Sequence, residues 1–533
     1  MTKSTPDAAG LDAPRGSAAP GIDAAAATTA GVVVRGGLWG TAGGMIPQVY
    51  TLVVSVTAAR ILGPEEFGRQ SFIAFAELSV VMLFTGGLPL ALMRFFGERI
   101  GAGNPVAVRS LLVWAWAIEA GSALLGGGLL FAAGLAGAEP EGAWLLAGVA
   151  ATMGVLHTVP SALLLGAQRW RAAIVAGLTT GALGTAATIA VLAAGWGITG
   201  MFAVDAAASV VNLIWTSWLA RRTLAEVAPP SPVRERVSNR DVWIYAAVST
   251  LGVVLTFIVW RRSELLLLEH FSSETQIGLF SIAFAASATL MKLPDAIANV
   301  GIAATATLYG AGAEERIRAG YSRAFRLVLL LTFPLAAAAL VLGPEALRVA
   351  YGDEYEDTGV LFVVLVAAFP VIPLMTLATS VLIGLGRLRA PLVTTAVAAL
   401  ANVVLAFALI PRYDALGAAF ASSGAQAVGA ALAFLYAARA VGGVDWDVGS
   451  AVRVGLTAGG VALVAAAGLV VLDGWAGVLV GLVAGAVAFL ALARLLRIVS
   501  AQDASWLDAA AGHRLRGRVG HWIRGSAGPA KKG

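Results

Sequence analysis

Residues 242–300 read VWIYAAVSTLGVVLTFIVWRRSELLLLEH, then FSSETQ, then IGLFSIAFAASATLMKLPDAIANV. Two apolar runs, each long enough to cross a bilayer, are joined by a short polar turn. Inside them lie Arg261, Arg262, Glu264, Lys292 and Asp295. A charge at the bilayer centre costs about 2.5–3.5 kcal/mol on insertion scales, so such residues face a cavity or a partner. The stretch therefore predicts two membrane helices with a functional interior.

Working outward, the whole chain has this character. Of 533 residues, 59% are hydrophobic and only 13% charged, and the mean hydropathy is +0.83. A soluble domain is about 25% charged and 45–50% apolar, so nearly all of this protein belongs in a membrane. There is no cysteine, hence no disulfide framework and no thiolate metal site. No Walker-type phosphate loop and no His/Asp/Glu cluster with metal-ligand spacing occurs. The sequence predicts no enzyme, no cofactor and no nucleic-acid partner.

From residue 37 onward, apolar segments of about 20 residues recur between short polar breaks. They fall at 37–59, 70–93, 110–135, 143–166, 172–195, 197–219, 242–268, 277–306, 320–343, 358–384, 391–410, 415–438, 450–472 and 475–497. The predicted class is an all-α polytopic membrane protein with about fourteen transmembrane helices. Pro47, Pro89, Pro160, Pro294, Pro334, Pro370 and Pro373 interrupt these segments, which predicts kinks.

Arginine marks alternate loops. One set holds Arg94, Arg99 and Arg109, then Arg169 and Arg171, then Arg221, Arg222, Arg234, Arg236 and Arg240, then Arg316, Arg318, Arg323 and Arg326, then Arg387 and Arg389. The opposite set holds only Arg60, Arg69, Arg348 and Arg412, among Glu139, Glu141, Glu269, Glu274, Asp353, Glu354, Glu356 and Asp357. Positive loops stay on the cytoplasmic side, so both termini are expected there, with the protein in a plasma membrane.

The connection 220–241, with five arginines and Pro229-Pro230-Ser231-Pro232, divides the chain into two sets of six spans. The sets resemble each other. Phe67–Ala76 matches Ile277–Ala285, Leu165–Arg169 matches Ile383–Arg387, and Ile198–Ala203 matches Ala415–Phe420, at nearly constant offsets of 210, 218 and 217. The predicted organisation is a disordered tail (1–34), a first six-helix lobe (35–219), a cytoplasmic linker (220–241), a second six-helix lobe (242–438), two further spans (439–497) and a basic cytoplasmic tail (498–533). Same-orientation repeats related by an axis along the membrane normal are an architecture of transporters. In the last segment Leu515, Val519, Trp522 and Ile523 share a helical face amid Arg514, Arg516, Arg518 and Arg524. That pattern suits either a helix lying on an anionic leaflet or a solubilising tail.

Three motifs carry a family resemblance. Ala59-Arg60-Ile61-Leu62-Gly63-Pro64-Glu65-Glu66-Phe67-Gly68 resembles the loop after the first helix of the oligosaccharide and polysaccharide flippases, whose superfamily also holds multidrug exporters and lipid II flippases. Tyr351-Gly352-Asp353-Glu354-Tyr355 is similar to their acidic-aromatic element before the tenth helix, and Asn402 through Ala419 to their junction of helices eleven and twelve. The resemblance runs from about Arg35 to about Arg497. It implies two lobes around a central cavity and alternating-access movement of undecaprenyl-pyrophosphate-linked oligosaccharide for cell-surface polysaccharide. It also implies membrane lipids as surroundings, and glycan polymerase or glycosyltransferases as partners.

A pyrophosphate crossing a bilayer needs fixed cations or backbone donors in place of its water. Arg262, Arg261 and Lys292 are the expected cavity cations. The opposing reading is structural pairing: Arg261 with Glu264 and Lys292 with Asp295 are each three apart, on one helix face. Glu77, Glu119, Asp205, Glu264 and Asp295 outnumber the intramembrane cations. Glu77, Asp205 and Asp295 are therefore candidates for coupling to H+ or Na+. His157 is expected in a structural hydrogen bond.

Two rival functions remain. A cation-coupled small-molecule exporter of the same superfamily suits the acidic interior. A membrane-embedded glycan polymerase or ligase would need a large outward segment, and the longest, near 343–358, is short. A non-transporting scaffold leaves the intramembrane charges unexplained.

Overall fold

The computed structural model describes residues 22–229, 239–260, 263–310, 313–387, 389–444, 448–496 and 498; of residues 22–45, 259–260, 291–304, 306–308, 310 and 448 it describes the backbone alone. The described residues form fifteen α-helices, one 3-10 turn (Asp353–Tyr355) and no strand. In chain order the helices are α1 (Ile22–Thr85), α2 (Leu88–Gly101), α3 (Pro105–Leu135), α4 (Glu141–Gly166), α5 (Trp170–Ala193), α6 (Gly197–Val227), α7 (Arg240–Trp260) and α8 (Glu264–Phe271). They continue with α9 (Glu274–Gly310), α10 (Glu314–Tyr351), α11 (Thr358–Ala367), α12 (Ile372–Gly384), α13 (Arg389–Ala440), α14 (Val448–Val471) and α15 (Gly474–Leu495).

Eleven stretches among the described residues are long and apolar enough to cross a membrane. Two of them, Ile46–Thr85 (40 residues) and Arg389–Ala440 (52 residues), would reach about 60 and 80 Å if straight, against a hydrocarbon core of about 30 Å. Each breaks into two spans at one residue of positive φ, Gly63 (φ 77°) and Asp414 (φ 48°). With α9, 37 residues long, the expected fourteen spans are recovered. Three are broken along their length: the second between α1 and α2 at Gly86-Gly87, the seventh between α7 and α8, and the tenth between α11 and α12 at residues 368–371. Pro89 and Pro373 open α2 and α12 as first-turn prolines, Pro370 sits in the break before α12, and Pro47, Pro160 and Pro334 lie within helices. Pro at the start of a helix lacks only a donor that would be unpaired there anyway.

One expectation needs correction. The tail was expected to reach residue 34, but α1 begins at Ile22. The Ala24–Ala27 run has the highest intrinsic helix propensity and extends the first span backward. Residues 1–21, the centre of the inter-lobe connection (230–238) and the basic tail beyond Ile498 lie outside the described residues.

The helices pack as two lobes. In the first, α4 lies against α3 and α6, and α5 against α1 and α6; in the second, α12 lies against α9 and α13, and α11 against α9, α10 and α13. The last pair, α14 and α15, pack on each other and on α10. Their mutual contact is glycine to glycine: a Cβ on Gly468 would meet the Gly481 backbone at 2.5 Å. Such close approach is how helices associate in lipid without a hydrophobic driving force. Large apolar side chains such as Val113, Leu124, Leu463 and Val470 point outward, a surface only a lipid solvent tolerates.

Candidate functional site

Between the lobes lies a cavity of about 1200 Å³. The first lobe lines it from both halves of α1, from α5 and from α6; the second from α7, α9, α11, α12 and α13. Its wall is rich in hydroxyls and amides, including Gln48, Gln70, Asn212, Ser287, Thr376 and Gln426. The carboxylates in the described lining are Glu77 and Asp205.

At the acidic-loop end of the cavity the lobes are joined by direct contacts. The Arg60 guanidinium donates from Nε to the Ala350 carbonyl and from Nη2 to the Val349 carbonyl, each at 2.6 Å, occupying free carbonyls at the end of α10. Arg69 pairs with Glu274 at 2.9 Å. The buried Tyr355 hydroxyl donates to the Ala59 carbonyl at 2.9 Å, and the Ser55 and Tyr351 hydroxyls lie 3.1 Å apart. Phe67 meets the Tyr355 ring edge-on within an apolar cluster drawn from both lobes. Arg348 is held locally by Glu345 and Asp353, both at 2.7 Å. Three of the four arginines that break the loop-charge rule thus have structural duties at this end.

Towards the basic loops the lobes meet through α2 and α7. The Gly87 amide donates to Thr250 Oγ1 at 2.9 Å, and Arg99 Nη2 to Asn239 Oδ1 at 2.9 Å. Arg94 stacks over the Tyr245 ring at 4.8 Å. Gly87 admits this crossing because a Cβ there would overlap Ser249 and the Ala246 carbonyl.

Of the residues singled out in the sequence, Glu77 and Asp205 are brought together. Glu77 comes from the second half of α1 and Asp205 from α6, with their carboxyls within hydrogen-bonding reach. Asp205 is surrounded by protein yet accessible, and what it is accessible to is the cavity. A hydrogen bond between two carboxyls requires a proton on one of them.

Arg261 and Arg262 lie outside the described residues. Lys292 and Asp295 lie on α9 with only their backbone described. Glu119, on α3, is fully buried away from the cavity, and neither carboxyl oxygen has a partner among the described residues. His157 is half-buried on α4 and is not part of the cavity wall.

Sequence reasoning named Glu264 but not its partners on α13. Glu264, 1% exposed, begins α8 at the break in the seventh span. Its described partners come from α13: Asn402 Nδ2 donates to Oε1 at 2.7 Å, and Ser422 also bonds the carboxyl. Asn402 and Ser422 are 1% and 0% exposed. The available signal was an asparagine and a serine inside otherwise apolar spans.

The comparisons agree with this architecture. A family described as "Polysaccharide biosynthesis protein" matches residues 58–359. No curated protein matches the sequence. Among solved structures, "Lipid II flippase MurJ, inward closed conformation" is similar at a TM-score of 0.68 and 14% identity, covering 86% of this chain and 98% of that one. An inward-facing multidrug resistance MATE transporter of the MOP superfamily is similar at 0.60 and 15% identity, covering 74% and 94%. A MOP superfamily transporter from Pyrococcus furiosus, described as having a binding pocket of reverse polarity, is similar at 0.51 and 16% identity, covering 77% and 95%. The fold is that of these transporters.

Proposed function

The chain belongs to the polysaccharide biosynthesis protein family, and on that premise we propose that it is a flippase carrying lipid-linked oligosaccharide across the plasma membrane. The carrier is of the undecaprenyl-pyrophosphate type, and movement is by alternating access of the two lobes. The observation that carries this reading is the size and wall of the central cavity. At about 1200 Å³ it exceeds the roughly 300–1,000 Å³ of drug-sized sites, and its hydroxyls and amides suit sugar hydroxyls. The cations proposed for a pyrophosphate are Arg261, Arg262 and Lys292, on the expected seventh and eighth spans. Both termini are assigned to the cytoplasm from the arginine-rich loops, and polymerase or glycosyltransferase partners would act on either side of the transfer.

Leaflet-resolved detection of lipid-linked sugar after depletion tests the reading. Depletion is expected to strand the units on the cytoplasmic leaflet, and an unchanged distribution would end the proposal. Repeating the assay with R262A tests the cation assignment.

The acidic pair favours a second reading, a cation-coupled small-molecule exporter. Glu77 and Asp205 facing a cavity could carry H+ or Na+, and Asp295 remains a third candidate. That reading requires E77Q or D205N to abolish resistance to a transported compound. Coupling by the same pair is also compatible with the flippase, so the substrate assay distinguishes the two readings.

A further inference from the structure

The first lobe's acidic site opens directly onto the cavity, and the second lobe's does not. The match of Ile198–Ala203 to Ala415–Phe420 at an offset of 217 places Ser422 at the position equivalent to Asp205. Where the sixth helix of the first lobe presents a carboxyl to the cavity, its counterpart presents a fully buried hydroxyl, and the carboxyl lies one step further away at Glu264. A side chain bridges that step on the cavity side. Gln426 lines the cavity, sits one helical turn from Ser422, and donates from Nε2 to Ser422 Oγ at 3.2 Å. Ser422 in turn bonds the Glu264 carboxyl, which also takes the Asn402 amide at Oε1. The four side chains form a continuous buried chain from the cavity wall to the joint of the seventh span.

From this chain we propose that Gln426 is a positioning residue that links occupancy of the central cavity to Glu264, and so to the packing of α8 on α13. The inference rests on the reading of the cavity as the transport site. A Gln amide has one acceptor oxygen and two donor hydrogens, and a single bond to Ser422 leaves the remainder for a ligand. A ligand that draws on that amide changes what Ser422 offers Glu264, because hydrogen bonds in a buried chain polarise one another. The linkage is reciprocal: whatever alters Glu264 alters affinity in the cavity by the same factor. Glu264 is well placed for this, since it opens α8 where the helical ladder is interrupted and is held by both halves of α13.

The test is a cycle of substitutions in the full chain in lipid nanodiscs, with undecaprenyl-pyrophosphate-linked N-acetylglucosamine as the probe. E264Q is expected to change probe affinity by at least about fivefold in the native background, the lower end of typical coupling. In Q426L and in S422A backgrounds the same change should shrink to less than about twofold, within the scatter of independent sites. S422A removes one atom and guards against misfolding of Q426L, and thermal unfolding checks both. An equal fold-change in all three backgrounds overturns the linkage, as does no effect of E264Q in the native chain. Failure of the native protein to bind the probe overturns the transport-site reading itself, and so separates the two failures.

Discussion

Gly68 and Gly278, equivalent positions in the two halves of the chain, touch each other at the acidic end of the cavity. A Cβ on Gly278 would lie 3.2 Å from the Gly68 amide nitrogen and 2.8 Å from the Pro64 carbonyl. Reciprocally, a Cβ on Gly68 would overlap the Glu274 carbonyl and lie 3.1 Å from the Gly278 nitrogen. Pro64 and Glu274 are themselves separated by the repeat offset of 210. The contact is self-complementary, as at a two-fold axis, so the duplication read in the sequence is expressed as a seal on the pseudo-symmetry axis.

The first prediction follows from that seal. G68A or G278A must push the two backbones apart. Because the chain contains no cysteine, T51C in the cavity wall can be labelled without background. Membrane-impermeant maleimide should label T51C several-fold faster in either variant, and only from the side of the acidic loops. An unchanged rate would show that the glycine contact does not close the cavity.

The Tyr355 hydroxyl contributes one buried hydrogen bond to the same seal. Y355F removes it at a cost of about 1 kcal/mol. The variant should unfold a few degrees lower in detergent and should also raise T51C labelling. A lower unfolding temperature with unaltered labelling would restrict Tyr355 to local stability.

Asn402 and Glu264 are unequal partners. N402L strips a donor from a fully buried carboxyl, which costs about 1–3 kcal/mol. E264Q keeps an amide oxygen able to accept from Asn402, so its loss should be smaller. Thermal unfolding of the purified protein orders the two, and the reverse order would contradict the geometry.

For Glu77 and Asp205 the expected signature is non-additivity. If they act as one unit, E77Q and D205N each reduce transport, and the double variant is no worse than the worse single one. Accumulation of lipid-linked units in cells reads this directly. Independent, multiplying effects would separate the two carboxyls.

Glu119 is the control. With no partner for either oxygen among the described residues, it is a buried polar group whose replacement by an apolar side chain should stabilise the protein by about 1–3 kcal/mol. E119L is expected to unfold at a higher temperature with transport intact. Loss of transport would give Glu119 a working role.

Much of this was legible in advance. Spans could be counted because a lipid solvent demands about 20 apolar residues per crossing, and the repeat could be read because its motifs stand at near-constant offsets. Glu77 and Asp205 stood out because a carboxyl in an apolar span is costly. What could not be read was who meets whom. Spacing offered Glu264 a partner only on its own helix, Arg261, which lies outside the described residues; the partner on α13, Asn402, is 138 positions away. Arg60 counted as an exception to the loop-charge rule, and its duty at the end of α10 was invisible.

The sequence by itself determined the solvent, the number of crossings, the two-fold plan and which carboxyls lie within the membrane. Each of these depends on composition or on spacing along one helix, and both are local properties. The tertiary structure alone decided that Glu77 faces Asp205, that Glu264 is bound through Ser422 to a cavity-lining glutamine, and that the repeated glycines meet on the axis. Those relations depend on how each helix is rotated and how spans cross. Rotation and crossing are set by packing across the whole bundle, where glycine contacts admit close approach and single residues of positive φ fold one long helix into two.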